Sequence, residues 1–103
     1  MNKNFRGDTF FRNYSVELDD GIYTFKDGDK INVAFCDGNE TYLKKEVKLP
    51  VGEEEIDICW TAGEMATLEA KQYVLETEFV ALDFTITTQE VIVIDEDFIY
   101  GEE

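Results

Sequence analysis

Hydrophobic and polar residues alternate along most of the chain with the period of two that is typical of β-strands. The alternation is clearest in residues 31–36, 55–60 and 73–79, where apolar side chains recur at every second position. Turn-forming residues separate these stretches, as in the Asp37-Gly38-Asn39-Glu40 segment. The pattern therefore predicts an all-β fold of about seven short antiparallel strands, arranged as a β-sandwich.

Other segments complete the predicted strand set. Residues 10–18 form the first strand, residues 22–25 form a short second strand, and residues 41–49 form a hairpin with 31–36. Residues 84–94 form the last strand, and its run 91–94 is apolar at every position, which predicts burial on both faces. The predicted core positions share one side of their strands; they are Phe10, Val16, Leu18, Ile31, Val33, Phe35, Ile56, Ile58, Trp60, Tyr73, Leu75 and Phe79.

One segment carries a helical signal. Thr61-Ala62-Gly63-Glu64 fits the Thr-x-x-Glu capping box, and the apolar residues Met65 and Leu68 follow it. The sequence therefore predicts one short helical turn near 62–69.

Length and charge restrict the organisation and the partners. The chain has 103 residues, 44% of them hydrophobic, which predicts a single folded domain over residues 1–103. Asp and Glu number 24 against 9 Lys and Arg, giving a net charge of −15. This charge repels nucleic-acid phosphates and anionic membranes, so we expect neither as a partner.

No secretory signal or membrane-spanning run is visible, so we expect synthesis in the cytoplasm.

Residues that could carry chemistry are sparse. The chain has no His, which removes the usual serine triad and most zinc sites. We interpret Cys36 and Cys59 as free, partly buried thiols, and Asp27 and Asp29 as turn residues rather than the start of a calcium loop. The sequence thus predicts no catalytic, cofactor-binding or metal-binding residues, and a protein that is not an enzyme.

Three tyrosines are candidate contact residues. Tyr23, Tyr42 and Tyr100 combine a large ring with a polar tip, a combination that suits protein interfaces. Trp60 shares the parity of Ile56 and Ile58, so a core position is favoured over a carbohydrate-binding groove.

The opening stretch FRGDTFFRNYSVELDDG resembles the start of a family of small phage and prophage domains. These are the immunoglobulin-like N-terminal domains of baseplate upper proteins and related tail proteins. Later stretches, DGDKINVAF and TITTQEVIVIDEDF, resemble the second and closing strands of the same family. The positions that match in the opening stretch are Arg6, Gly7, Asp8, Thr9, Phe10, Phe11, Leu18, Asp20 and Gly21.

The resemblance implies a non-enzymatic structural or assembly module of a phage tail or baseplate, found in the virion. Its partners would be other tail or baseplate proteins, with self-association as an open alternative. In this reading Arg6-Gly7-Asp8 is a turn that leads into the first strand rather than an adhesion ligand. Two other functions remain as alternatives: an acidic mimic of nucleic acid that inhibits a host defence protein, suggested by the net charge, and a carbohydrate-binding module, suggested by Trp60 and the tyrosines.

Overall fold

A computed structural model describes residues 4–95, which contain nine strands and one short helix. In chain order the elements are β1 (Asn4–Phe5), β2 (Phe10–Tyr14), β3 (Glu17–Leu18), β4 (Gly21–Ile22), β5 (Lys30–Asp37), β6 (Glu40–Lys48), β7 (Ile56–Trp60), α1 (Ala62–Met65), β8 (Gln72–Val80) and β9 (Thr85–Asp95). The prediction of an all-β, sandwich-like fold with antiparallel sheets and one short helix is confirmed.

The main sheet has the strand order β9, β8, β5, β6, and all its neighbours are antiparallel. β1 extends it by a two-residue parallel pairing with the end of β9, where Asn4 lies opposite Ile94. β2 and β7 form a second antiparallel sheet, with Phe10 opposite Trp60. β3 and β4 form a short separate ribbon. The second sheet is narrow, so it covers one face of a wider main sheet.

The core lies between the two sheets and is rich in aromatic rings. Trp60 contacts Phe10 and Phe35 edge to face, with ring centroids 5.5 and 5.4 Å apart. Its Nε1–H donates a hydrogen bond of 3.0 Å to the carbonyl oxygen of Leu43. The rest of the cluster includes Phe25, Ile31, Val33, Ile58, Met65, Leu68, Tyr73, Leu75, Phe79, Ile92 and Ile94.

The predicted core is largely confirmed. All its members are buried except Leu18 and Ile56, which are half-buried against the cluster. The alternation did not reveal Phe25, Leu49, Met65 and Leu68, because these residues lie in loops and in the helical turn rather than in a long strand. Two-residue periodicity carries no information there.

The first predicted strand is broken in the structure. β2 ends at Tyr14, and the chain resumes as the β3–β4 ribbon, which continues through a Tyr23 N–H bond to the Val16 carbonyl. This break and the additional short β1 raise the strand number from about seven to nine in the described part of the chain.

The prediction that residues 91–94 are buried on both faces is wrong. Ile92 and Ile94 are buried, but Val91 and Val93 are 61% and 37% exposed. The reason is that no described residue packs on the outward face of the main sheet, to which Val91 and Val93 point. A run of β-branched residues favours a strand whether or not both faces are covered.

A β-bulge changes the parity of β6. The pairing of β5 with β6 shifts between Val33 and Phe35, so that Leu43 and Lys44 lie opposite Ala34. Leu43 adopts a φ of 52°, a left-handed conformation that is rare for a branched residue. The bulge places Tyr42 on the core side beside Tyr73, with ring centroids 5.8 Å apart. Simple alternation along residues 41–49 predicts that Tyr42 shares a solvent face with Lys44, Glu46 and Lys48. The bulge makes that prediction wrong for Tyr42.

The capping box is confirmed. Thr61 Oγ1 accepts the Glu64 N–H at 3.2 Å, and Glu64 Oε1 accepts the Thr61 N–H at 2.9 Å. The Lys45 ammonium lies 3.1 Å from Glu64 Oε2. The backbone bond from Thr61 and the Lys45 ammonium hold the pKa of Glu64 below its ordinary value. Residues 4–95 include no helix that is long and apolar enough to cross a membrane.

Replacing Trp60 with Ala should lower the free energy of unfolding by about 3–5 kcal/mol, because it leaves a cavity between the sheets. Leu82→Ala is the control, since Leu82 is 95% exposed and should change stability little. Chemical denaturation measures both. An unchanged unfolding midpoint for the Trp60 variant would contradict the core described above.

Glu64→Gln should make stability less sensitive to acid. The folded-state pKa of Glu64 is lowered, so its contribution is present above the ordinary value of 4.5 and is lost as the pH falls through the folded-state pKa. Gln keeps a capping acceptor at this position but carries no charge. Comparing the unfolding midpoints of both proteins at pH 7 and pH 3 should show the larger decrease in wild type, and equal decreases would contradict the assignment.

Candidate interaction surface

The outward face of the main sheet is uncovered by any residue in the range 4–95. On β9 this face presents Thr85, Thr87, Gln89, Val91 and Val93, all of them exposed. Val91 lies opposite Val74 of β8, and Val74 lies opposite Cys36 of β5. The result is a small apolar strip near one end of a mostly polar face.

The margin of β9 is open. β8 pairs with one side of β9 along its length, and β1 occupies the other side only at Ile94 and Asp95. Residues 85–93 have no backbone partner on that other side within the described chain. In an antiparallel pair, alternate residues direct both backbone groups away from the neighbouring strand. This segment, which we call the β9 edge, therefore offers a row of N–H and C=O groups to another strand.

The opposite margin of the sheet is protected. β6 carries the bulge at Leu43 together with Lys44, Lys45 and Lys48. Bulges and lysines are the usual devices that prevent a strand from pairing with another chain. The β9 edge has neither: its pairing with β8 is regular, and it contains no Lys or Pro.

The β9 edge is also poor in charge. Glu90 is the only charged residue between 85 and 93, and Arg12 Nε and Nη2 donate to its two carboxylate oxygens at 3.0 and 2.6 Å. The Gln89 amide donates to Glu76 Oε2 at 3.0 Å, so the adjacent carboxylate on β8 is held as well. A chain of net charge −15 thus contains one long strand margin that is close to neutral.

A shallow depression of about 400 Å3 lies on the same outward face. Its lining is mainly polar and includes Asn32, Lys44, Glu76 and Glu78, with Asn32 Nδ2 donating to Glu78 Oε1 at 3.1 Å. Cys36 also lines it, and burial, followed by the nearby Glu76 carboxylate, raises the pKa of its thiol. A raised pKa keeps the thiol protonated and a poor nucleophile. The depression is therefore an open, mainly polar recess, and the thiol that lines it is not activated.

The candidate contact tyrosines lie in different places. Tyr23 is half-buried between Phe79 and Phe84, and its hydroxyl donates to Asp29 Oδ2 at 2.8 Å. Tyr42 is half-buried against Tyr73, near the Lys71 ammonium. Tyr100 lies outside the described residues. The structure does not bring Tyr23 and Tyr42 together, and their role in an interface stays a prediction.

Several interpretations of single residues are supported by contacts. Arg6 and Gly7 form the expected turn, with Gly7 at a φ of 89° and Arg6 Nε donating to the Leu68 carbonyl at 2.9 Å. Asp29 belongs to a turn, because its carboxylate accepts the Lys26 N–H at 2.8 Å. The full burial of Trp60 removes the residue on which a carbohydrate-binding groove depended.

The two cysteines are free and lie on different sheets. Cys36 is on the outward face of the main sheet, whereas Cys59 faces outward from the second sheet, opposite Phe11. The prediction of free thiols is confirmed, but the expectation that both are partly buried is wrong for Cys59, which is exposed because odd positions of β7 point away from the core.

Acidic residues are divided between the ends of the sandwich. Asp27 precedes the start of β5, whereas Asp37 and Glu40 lie at its other end. Within residues 4–95, no group of three or more His, Cys, Asp or Glu side chains is arranged to hold a metal ion.

No protein family, curated protein or solved structure matches this chain in comparisons with each. The sequence did not predict the β9 edge. The composition of residues 85–93, TITTQEVIV, indicates a strand that is mostly β-branched, with one charge and no proline, but it does not give the place of that strand in the sheet.

Alkylation should distinguish the two thiols. Iodoacetamide should modify Cys59 several-fold faster than Cys36, because Cys59 is exposed while burial and Glu76 keep the Cys36 thiol protonated. Peptide mass spectrometry over time measures both rates in the folded protein, and urea should equalise them. Faster labelling of Cys36 would contradict the environment described here.

Proposed function

We propose that this chain is a non-enzymatic module that works by binding another protein through the β9 edge. The observation that carries the proposal is the contrast between the two margins of the main sheet. One is blocked by a bulge and lysines, and the other is long, regular, nearly neutral and open. Strand addition to such a margin is a common mode of protein recognition, in which backbone hydrogen bonds supply affinity.

The side chains beside the edge add an apolar contribution. Val91 and Val93 point outward next to Val74, so a strand paired with β9 would bury part of each. Burial of apolar surface contributes about 25 cal/mol per Å2. Specificity would come from the alternating Thr and Val positions, because side chains of an added strand fall between them.

The resemblance of the opening residues to phage tail and baseplate domains supports a more specific role. We propose that the module is a structural or assembly component of a virion, whose partners are tail or baseplate proteins. A small β-sandwich suits such a role, and many unrelated functions use the same architecture. On this proposal the gene lies among tail genes.

The alternatives draw less support from the described residues. A mimic of nucleic acid needs its carboxylates along one continuous track, whereas Asp27 lies at one end of β5 and Asp37 and Glu40 at the other. A carbohydrate-binding module needs exposed aromatic platforms, and Trp60 is fully buried.

Incorporation into particles tests the proposal. The double variant Thr87→Lys, Gln89→Lys places two lysines on the β9 edge, where Glu78 and Glu76 lie opposite on β8 and can accommodate them. The matched control is Thr41→Lys, Gln72→Lys, which adds the same charge at exposed positions of β6 and β8. Each protein is expressed in the producing bacterium, and purified particles are assayed by quantitative mass spectrometry.

We expect wild type and the control in particles and a loss of at least tenfold for the edge variant. Melting curves must first show that all three proteins fold. Absence of the wild-type chain from particles would contradict the viral role. Equal incorporation of both variants would contradict the role of the β9 edge.

A further inference from the structure

We infer that the β9 edge pairs with the β9 edge of a second copy of this chain, so that two main sheets join into one continuous sheet. This inference rests on the proposed function, because it names the partner of the same edge. Three observations carry it: the length of the open segment, the distribution of charge along it, and the protection of the opposite margin.

The limits of the open segment define a symmetrical register. Among residues 4–95, β1 occupies this margin of β9 only at Ile94 and Asp95, and β9 begins at Thr85, so residues 85–93 have no described partner there. Pairing this whole segment with itself in the antiparallel direction places Thr85 opposite Val93 and Gln89 opposite Gln89 of the second copy. A two-fold axis then passes between the two Gln89 residues, which is the self-complementary arrangement of a closed dimer.

This register also avoids placing the Glu90 carboxylates of the two copies opposite each other. Two copies of a chain with net charge −15 repel each other, so they can meet only where few charges are brought together. In the symmetrical register Glu90 faces Thr88 of the second copy, not Glu90, and Arg12 already binds each Glu90 carboxylate.

The paired side chains are compatible on both faces of the joined sheet. On the outward face Val91 lies opposite Thr87 of the second copy, and on the inward face Ile92 lies opposite Ile86. Cross-strand pairs of β-branched residues stabilise antiparallel sheets. The joined main sheet would not extend further, because its outer margins are the β6 edges with their bulge and lysines.

Sedimentation velocity over a concentration series tests the inference with the purified chain. The wild-type mass should rise from 11.9 kDa toward twice that value as concentration increases. Thr87→Lys, Gln89→Lys should weaken the association at least tenfold, whereas Thr41→Lys, Gln72→Lys should associate like wild type. Both variants change the net charge from −15 to −13, so a change in general repulsion alone would affect them equally.

Salt supplies an independent readout. Higher ionic strength screens the repulsion between two acidic chains, so wild-type association should strengthen between about 0.05 and 0.5 M salt. An interface built from Lys–Glu pairs would weaken over the same range.

A wild-type chain that stays monomeric at every concentration would overturn the inference. So would a dimer that the edge variant leaves intact, since another surface would then be responsible. Neither result concerns particle incorporation: a monomeric chain whose edge variant is lost from particles would retain the proposed function with a different partner.

Discussion

The packing of Trp60 is the interaction on which the rest of the structure depends. Its ring joins Phe10 of the second sheet to Phe35 of the main sheet, and its N–H binds the carbonyl oxygen of Leu43 at the bulge. One side chain therefore connects the two sheets and supports the left-handed residue that bends β6. Because the bulge is part of what protects the β6 margin, the core and the surface properties of that edge are coupled.

The sandwich could be predicted because period-two alternation is strong where one face of a strand is buried. Ile31, Val33 and Phe35 alternate with more polar residues, and all three are in the core. The capping box at Thr61 was equally readable because it depends on residues that are adjacent in sequence. Features that depend on contacts between distant strands could not be predicted from the sequence. The parity change at Tyr42 follows from a bulge that Trp60 supports from a distant strand, and alternation within β6 contains no trace of that contact.

The candidate interaction surface also has a part that could be predicted from the sequence and a part that could not. The sequence favoured tyrosines as contact residues, because ring size and polarity can be judged one residue at a time. The open margin of β9 depends on the strand order of the sheet, which alternation does not determine. Residues 91–94 illustrate the difference: their apolar character suggested a central strand, whereas Val91 and Val93 lie exposed beside the margin. An apolar strand at the open margin of a sheet is understandable when another strand pairs with it there.

In the isolated chain the β9 edge lies open among residues 4–95. Backbone amide hydrogen exchange at low protein concentration tests it most directly, since amides bonded to β8 should be protected and those directed to the open side should not. Slow and fast exchange should alternate residue by residue from Thr85 to Val93. Continuous slow exchange along this segment, unchanged on dilution, would mean that the chain itself covers the edge, and the β9 edge would then not be open.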